Sequence, residues 1–149
     1  MATAYWVSQA IYVAAKLGIA DLLEDSPRSS AALAAATGSD ASSLFRVLRA
    51  LSSVGVFSQL GKDCFALSRL GDALRSDAPG SLRAIMITIG EIHYEACGEL
   101  LHSVRTGSPA FDHVFGKSLF DHLQENAGAA DLFNRGMSSA SPFERATKK

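Results

Sequence analysis

Residues 40–67 read DASSLFRVLRALSSVGVFSQLGKDCFAL, and this stretch decides the fold. Asp40 is a helix cap, because its carboxylate can accept the amides that a first helical turn leaves unpaired. Behind it Leu44, Val47, Leu48 and Leu51 recur at helical spacing, which predicts a helix over residues 41–54 with one buried face. Gly55 supplies the left-handed residue that stops it. Two β-prone runs follow, residues 56–59 and 64–67, joined by Leu60, Gly61, Lys62 and Asp63, a loop with turn chemistry. Upstream, Ser29 or Ser30 can cap an alanine-rich helix over residues 31–37 that closes on Gly38. Helix, turn, helix and hairpin in this order make a winged helix over about residues 28–70, with the hairpin as the wing.

Towards the N-terminus, residues 5–24 crowd apolar side chains at helical spacing: Trp6, Ala10, Val13 and Leu17 on one stripe, Val7, Ile11, Ala14 and Ala15 on its neighbours. Gly18 divides two short helices. So wide an apolar girth exceeds what one neighbouring face can cover, and a second subunit is expected to cover the remainder. Towards the C-terminus, Ser68 can cap a short helix over residues 69–75, and Asp77, Ala78, Pro79 and Gly80 form a turn. A long helix is then predicted over residues 81–105, on the line Leu82, Ile85, Ile89, Ile92, Ala96, Leu100 and Val104, ended by Thr106 and Gly107. Further helices are expected over residues 118–124 and 129–137, and residues 138–149, small, polar and broken by Pro142, read as a tail. The expected class is mainly α, a winged helix with additional long helices, arranged as one domain over residues 1–137.

Composition narrows the function classes. The chain has 149 residues, 48% of them hydrophobic, enough to close a core. Charged residues make up 19%, below the usual share of about 25%, which leaves apolar surface for a partner. A net charge of −1 gives no global attraction to nucleic acid or to an anionic membrane. Two cysteines, Cys64 and Cys97, are too few for a disulfide framework, so a reducing cytoplasm is the expected setting. The N-terminal apolar stretch, interrupted by Ser8, Gln9 and Lys16, reads as neither a signal peptide nor a membrane span.

A DNA-binding regulator is the alternative that a winged helix invites, with residues 41–54 in a major groove. That helix offers only Arg46 and Arg49, and the wing tip sets Lys62 beside Asp63, whereas affinity through counterion release often needs about 6 to 10 phosphate contacts. His93 and Cys97 fall one helical turn apart, but Cys64, His102, His113 and His122 do not complete a four-ligand zinc site at the usual spacing, so no metal is expected. Asp112 with His113 and Asp121 with His122 are sequence neighbours, which on a helix do not face each other. No serine sits between glycines as a nucleophile elbow requires. The most closely spaced glycines, Gly55 and Gly61, lie outside any β-α-β succession, so the glycine-rich turn of a nucleotide site is missing. No catalytic or cofactor-binding residue is therefore expected in this chain. Tyr94, Phe111, Phe115, Phe120, Phe133 and Met137 remain as a set that suits either a small aromatic ligand or a plain core.

Nearly the whole chain resembles the N-terminal dimerisation domain of S-adenosylmethionine-dependent O-methyltransferases, those acting on plant phenolics and bacterial polyketides. The resemblance runs through Tyr5-Trp6-Val7-Ser8-Gln9-Ala10, Ala15-Lys16-Leu17-Gly18-Ile19-Ala20-Asp21-Leu22-Leu23 and Leu44-Phe45-Arg46-Val47-Leu48-Arg49-Ala50-Leu51. It continues in Gly55-Val56-Phe57, Ser103-Val104-Arg105-Thr106-Gly107 with Ala110-Phe111, and Phe133-Asn134-Arg135-Gly136-Met137. It implies an intertwined homodimer, with Trp6, Val7, Ala10, Ile11, Ala14 and Leu17 at the interface. It also implies a substrate-facing wall of His93, Tyr94, Cys97, Phe111, Phe115 and Met137, suited to a small aromatic or polyketide-like ligand. In complete relatives S-adenosylmethionine and the catalytic histidine belong to a following Rossmann-like domain, so the isolated chain is expected to be inactive. Two departures stand out: Cys97, where such proteins tend to carry a large aromatic, and Ala127, where they often have proline. The polar ending over residues 144–149 is unlike the approach to a nucleotide domain and is what a truncated or frameshifted reading frame would give.

Overall fold

A computed structural model describes residues 4–140. The chain divides into two compact units, Met1–Arg83 and Ala84–Lys149. The boundary falls inside the single domain expected over residues 1–137.

The first unit contains α1 (Ala4–Lys16), α2 (Ile19–Leu22), β1 (Arg28–Ser29), α3 (Ser30–Thr37), α4 (Ala41–Ser53), β2 (Phe57–Leu60), β3 (Cys64–Leu67) and α5 (Arg69–Asp72). Gly18, left-handed at φ 67°, separates α1 from α2. Ser29 Oγ caps α3 through the Ala32 amide at 3.1 Å, and Asp40 Oδ1 caps α4 through the Ser43 amide at 2.8 Å. The hairpin pairs Phe57 with Leu67 and Leu60 with Cys64, antiparallel. Leu33, Leu48, Leu51, Phe57 and Phe65 close the core beneath it together with Ile19 and Leu23 from α2 and its end. This is the expected winged helix.

Three local features differ from the expectation. Val56 lies outside the strand, because its amide donates to Leu51 O at 2.9 Å and its carbonyl accepts from Ser68 Oγ at 2.7 Å, leaving neither group for the ladder. The two-residue strand β1 pairs with β3 and completes a sheet of order β1-β3-β2; it is too short to show an alternating pattern. At the wing, Asp63 Oδ1 accepts hydrogen bonds from both the amide and the hydroxyl of Ser30, tying the hairpin turn to the start of α3. The first unit is laced at its far end by Asp21, which accepts from the Ser76 amide at 2.7 Å and pairs with Arg83 at 2.7 Å, while Arg83 Nε donates to Ala15 O at 2.9 Å. Arg75 bridges Asp72, Asp77 and Glu24. Hydrogen bonding to Asp72, then the charges of Asp77 and Glu24, holds its guanidinium protonated beyond the ordinary range.

The second unit corrects the sequence reading more deeply. The helix expected over residues 81–105 is interrupted twice. It runs as α6 (Arg83–Thr88), a π-helical turn (Ile89–His93), α7 (Tyr94–Gly98) and α8 (Leu100–Thr106). At the π turn the Tyr94 amide reaches back to Ile89 O, five residues away, which shifts the register of everything after it. At Gly98 and Glu99 the chain tightens, with the Glu99 amide on Ala96 O at 3.1 Å and the His102 amide on Glu99 O at 2.9 Å. Leu100 and Val104, placed by periodicity on the buried line, stand 63% and 76% exposed as a result. A helix that the sequence reading left out, α9 (Ala110–Phe115), sits between Gly107 and Gly116 and is followed by α10 (Leu119–Glu125), capped by Ser118. The last, α11 (Ala127–Ala140), runs three residues into the expected tail, where Ser139 Oγ donates to Gly136 O at 3.2 Å. The rest of that tail lies outside the described residues. Gly136 lets α11 approach α6, where an added Cβ would stand 3.0 Å from the Ile85 backbone.

Two predictions follow from these contacts. An added Cβ at Gly71 would lie 2.4 Å from Val56 O, whereas one at Gly98 meets nothing within 4 Å. Gly71→Ala is expected to lower the unfolding free energy by about 1–3 kcal/mol, and Gly98→Ala to raise it by about 0.5–1 kcal/mol, both read by urea denaturation. The Ser43 amide, foremost, holds the Asp40 carboxyl below its ordinary value. The unfolded chain therefore takes up this proton at higher pH than the folded one, so the cap stabilises fully above the ordinary carboxylate range and loses that effect as pH falls through the folded value. Asp40→Asn, which caps without titrating, should flatten this acid limb in a pH series of denaturation midpoints.

Candidate functional site

Two surfaces emerge, one in each unit. In the first, α1 presents Trp6 at 62% exposure, with Tyr5 set edge-on against it at a centroid distance of 5.7 Å. Val7, Ala10, Ile11 and Leu17 are half-buried, and Ala14 is 1% exposed, already covered within the chain. Ala14 and its neighbour Ala15 are small, and α1 packs on α4. The residues further round α1 retain apolar surface that this chain does not cover.

In the second unit, α7 packs on α9, which brings the segment of Tyr94 and Cys97 against the segment of Phe111 and Phe115. Phe111 and Phe115, one turn apart, stack at 4.4 Å. His122 of α10 meets both rings, at 5.8 Å and 5.3 Å, so α9 and α10 share one aromatic ladder. Tyr94 and Cys97 are exposed, and Phe111 and Phe115 are half-buried. His93 ends the π turn with Nδ1 3.5 Å from Thr88 O, and Met137 lies half exposed on α11, which packs on α10. Of the six residues expected at the wall, four are thus gathered on one pair of packed helices. No ring contact joins His93 or Met137 to them.

Sequence reasoning named the histidines but missed their ring contacts. His102 of α8 and His113 of α9 stack at 3.9 Å with 9° between ring planes, and His122 belongs to the ladder. A signal was present: Thr106-Gly107-Ser108-Pro109 is a turn, and His102 and His113 stand equally far from its two ends. Among the described residues no three His, Cys, Asp or Glu side chains gather to hold a metal ion. A depression of about 530 Å³ in the first unit is lined by Arg49, Ser52, Ser53, Phe57 and Gln59. Its polar groups are mostly engaged: Arg49 lies 5.8 Å from the Phe45 ring centre, Ser53 donates to Ala50 O, and Gln59 Nε2 reaches the Lys62 carbonyl. Along α4 the cationic side chains are Arg46 and Arg49, both exposed, with Arg46 donating to Ser43 Oγ at 3.1 Å.

The O-methyltransferase dimerisation domain matches residues 1–86. The chain belongs to that family. Phenazine O-methyltransferase of Lysobacter antibioticus is 46% identical over 134 residues, which is 90% of this chain and 39% of the relative. The solved structure of LaPhzM superposes with a TM-score of 0.91 at 45% identity, over 93% of this chain and 42% of that one. CalO1, a methyltransferase of calicheamicin biosynthesis solved in its SAH-bound form, gives a TM-score of 0.82 at 37% identity, over 93% of this chain and 41% of that one. The chain therefore spans about two fifths of the length of these relatives.

Membership in the O-methyltransferase dimerisation-domain family gives the alternative of a DNA-binding regulator no support. The described residues form no β-α-β turn of the dinucleotide-binding kind. Their sheet is wholly antiparallel, and their left-handed glycines stop helices or turn loops rather than opening a helix after a parallel strand. Among the described residues no helix is long and apolar enough to cross a membrane. The aromatic ladder gives a checkable expectation: Phe111→Leu keeps an apolar side chain but removes both ring contacts, and should lower the unfolding free energy by about 1 kcal/mol in thermal or urea melts.

Proposed function

We propose that this chain is the pairing and substrate-covering module of an O-methyltransferase-type protein. The observation that carries the reading is the uncovered apolar face of α1 around Trp6, in a chain whose family is defined by dimerisation. Trp6, Val7, Ala10, Ile11 and Leu17 form the face that a second copy covers, making a homodimer. Ala14 supports that face from within.

The second unit supplies the wall. Tyr94, Cys97, Phe111 and Phe115 line the face of α7 and α9 offered to a planar aromatic ligand, with His93 and Met137 towards its edges. A relative that acts on phenazine, a flat tricyclic ring system, favours this ligand class. Cys97 occupies less volume than an aromatic side chain and leaves the wall wider for a fused ring. Methyl transfer itself requires a bound methyl donor and a base near the acceptor oxygen, and the described residues provide neither in a recognisable arrangement. The isolated chain covers and orients; it does not catalyse.

Titration of the isotope-labelled chain with phenazine tests the wall. Amide shifts are expected at Tyr94, Cys97, Phe111 and Phe115, and shifts confined to the first unit would overturn the assignment. Calorimetry with S-adenosylmethionine should give no saturable heat. A stoichiometric isotherm would mean that this chain holds a cofactor site of its own.

A further inference from the structure

All four histidines of the chain fall between residues 93 and 122, in the second unit. Two of them face each other across a turn. α8 and α9 pack against one another on either side of residues 107–109, and the rings of His102 and His113 lie 3.9 Å apart, nearly parallel. Parallel rings direct their nitrogen lone pairs along parallel planes, so one metal ion cannot lie in both; this is a stack, not half of a metal site. Neutral imidazoles stack favourably. Two imidazolium rings at the same spacing repel, and imidazole is the side chain that ordinarily changes charge between pH 5 and 8.

Five carboxylates and two cations stand on the elements around the pair, but none is bonded to either ring. The titratable or charged groups on the elements packed around the pair are Tyr94, Glu95 and Cys97 of α7, Glu99 before α8, Arg105 of α8 and Asp112 of α9. On and before α10 they are Lys117, Asp121, His122 and Glu125. Among the described residues none of them forms an ion pair or a hydrogen bond with either ring. Lys117 pairs with Glu125, Asp121 accepts from Ser118 at 2.7 Å, and His122 is turned to Phe111 and Phe115. With His102 half-buried and His113 exposed, protons reach both.

We propose that the His102–His113 stack is an acid-sensitive clasp, closed when the rings are neutral and opened when both are protonated, which loosens α9 and the Phe111–Phe115 pair it carries. Its regulatory meaning rests on the reading of α9 as part of the substrate wall, but the clasp itself does not. A lid of this kind would hold its aromatic wall firm at neutral pH and relax it in acid. Only the protonation of this chain's own side chains is involved.

Hydrogen exchange on the whole chain at pH 7.5 and pH 5, corrected for intrinsic exchange, tests it without any ligand. In the wild type, protection of the His113 and Gly116 amides, which bond to Pro109 O and Asp112 O, should fall about fivefold or more on acidification, as two like charges at this spacing near water imply. His102→Phe and, separately, His113→Phe keep a stacked ring that cannot charge, and each should retain protection at pH 7.5 and lose the acid response. His122→Phe should respond as the wild type does. A wild type without the response, or a response that survives in both Phe variants, overturns the clasp. Because no phenazine is present, either result is distinguishable from failure of the wall assignment, which the amide titration reads alone.

Discussion

The first unit depends on how closely α1 can lie on α4. Ala14 and Ala15 are both 1% exposed, and residues of this size let the two helices approach until backbone and short side chains meet. That seating fixes the orientation of α1. With Ala14 and Ala15 buried, Trp6 near the start of the helix stays 62% exposed, and Val7, Ala10, Ile11 and Leu17 are half-buried. The same end is locked by polar contacts, because the Ala15 carbonyl accepts from Arg83 and Arg83 pairs with Asp21 at the start of α2. An apolar helix held rigidly with one side uncovered is a surface prepared for association, and its loss of ordering entropy on pairing is correspondingly small.

The second unit follows another logic. Before α11 it is assembled from short helices whose ends are set by glycines, by Ser118 and by the π turn, with Ile87, Ile92 and Leu123 buried and rings meeting across α8, α9 and α10. Short helices have little stability of their own, so their packing contacts decide whether they persist. Such a region can adapt to a ligand more readily than the winged helix, where Phe57, Phe65 and Leu48 are fully buried.

The winged helix was legible because every local signal agreed. Asp40 as cap, the Leu44–Leu48–Leu51 stripe, Gly55 as stop and Gly61 in the hairpin turn each point to the same arrangement. The strand β1 was not, since two residues have no period, and its pairing is decided by Asp63 reaching Ser30 from a distant part of the chain. The breaks in the helix predicted over residues 81–105 were hidden for the opposite reason. Apolar residues continue at helical spacing through the π turn, and only the backbone bond from Tyr94 to Ile89 reveals the change of register. Of the wall, Phe111 and Phe115 could be read as a pair one turn apart, whereas His102 and His113 meet only once α8 and α9 fold back on the turn at residues 107–109.

On the proposed reading, wing, pairing face and aromatic wall belong to a module that arranges other groups rather than reacting itself. The fold is one used elsewhere for DNA, yet here α4 carries only two arginines and the exposed Trp6 lies on α1. Sedimentation equilibrium of the chain over a wide range of concentration, beside that of Trp6→Glu, tests this account most directly. A dimer for the chain and a monomer of unchanged helical content for Trp6→Glu is the predicted result, and a folded wild-type chain that stays monomeric at every concentration would contradict it.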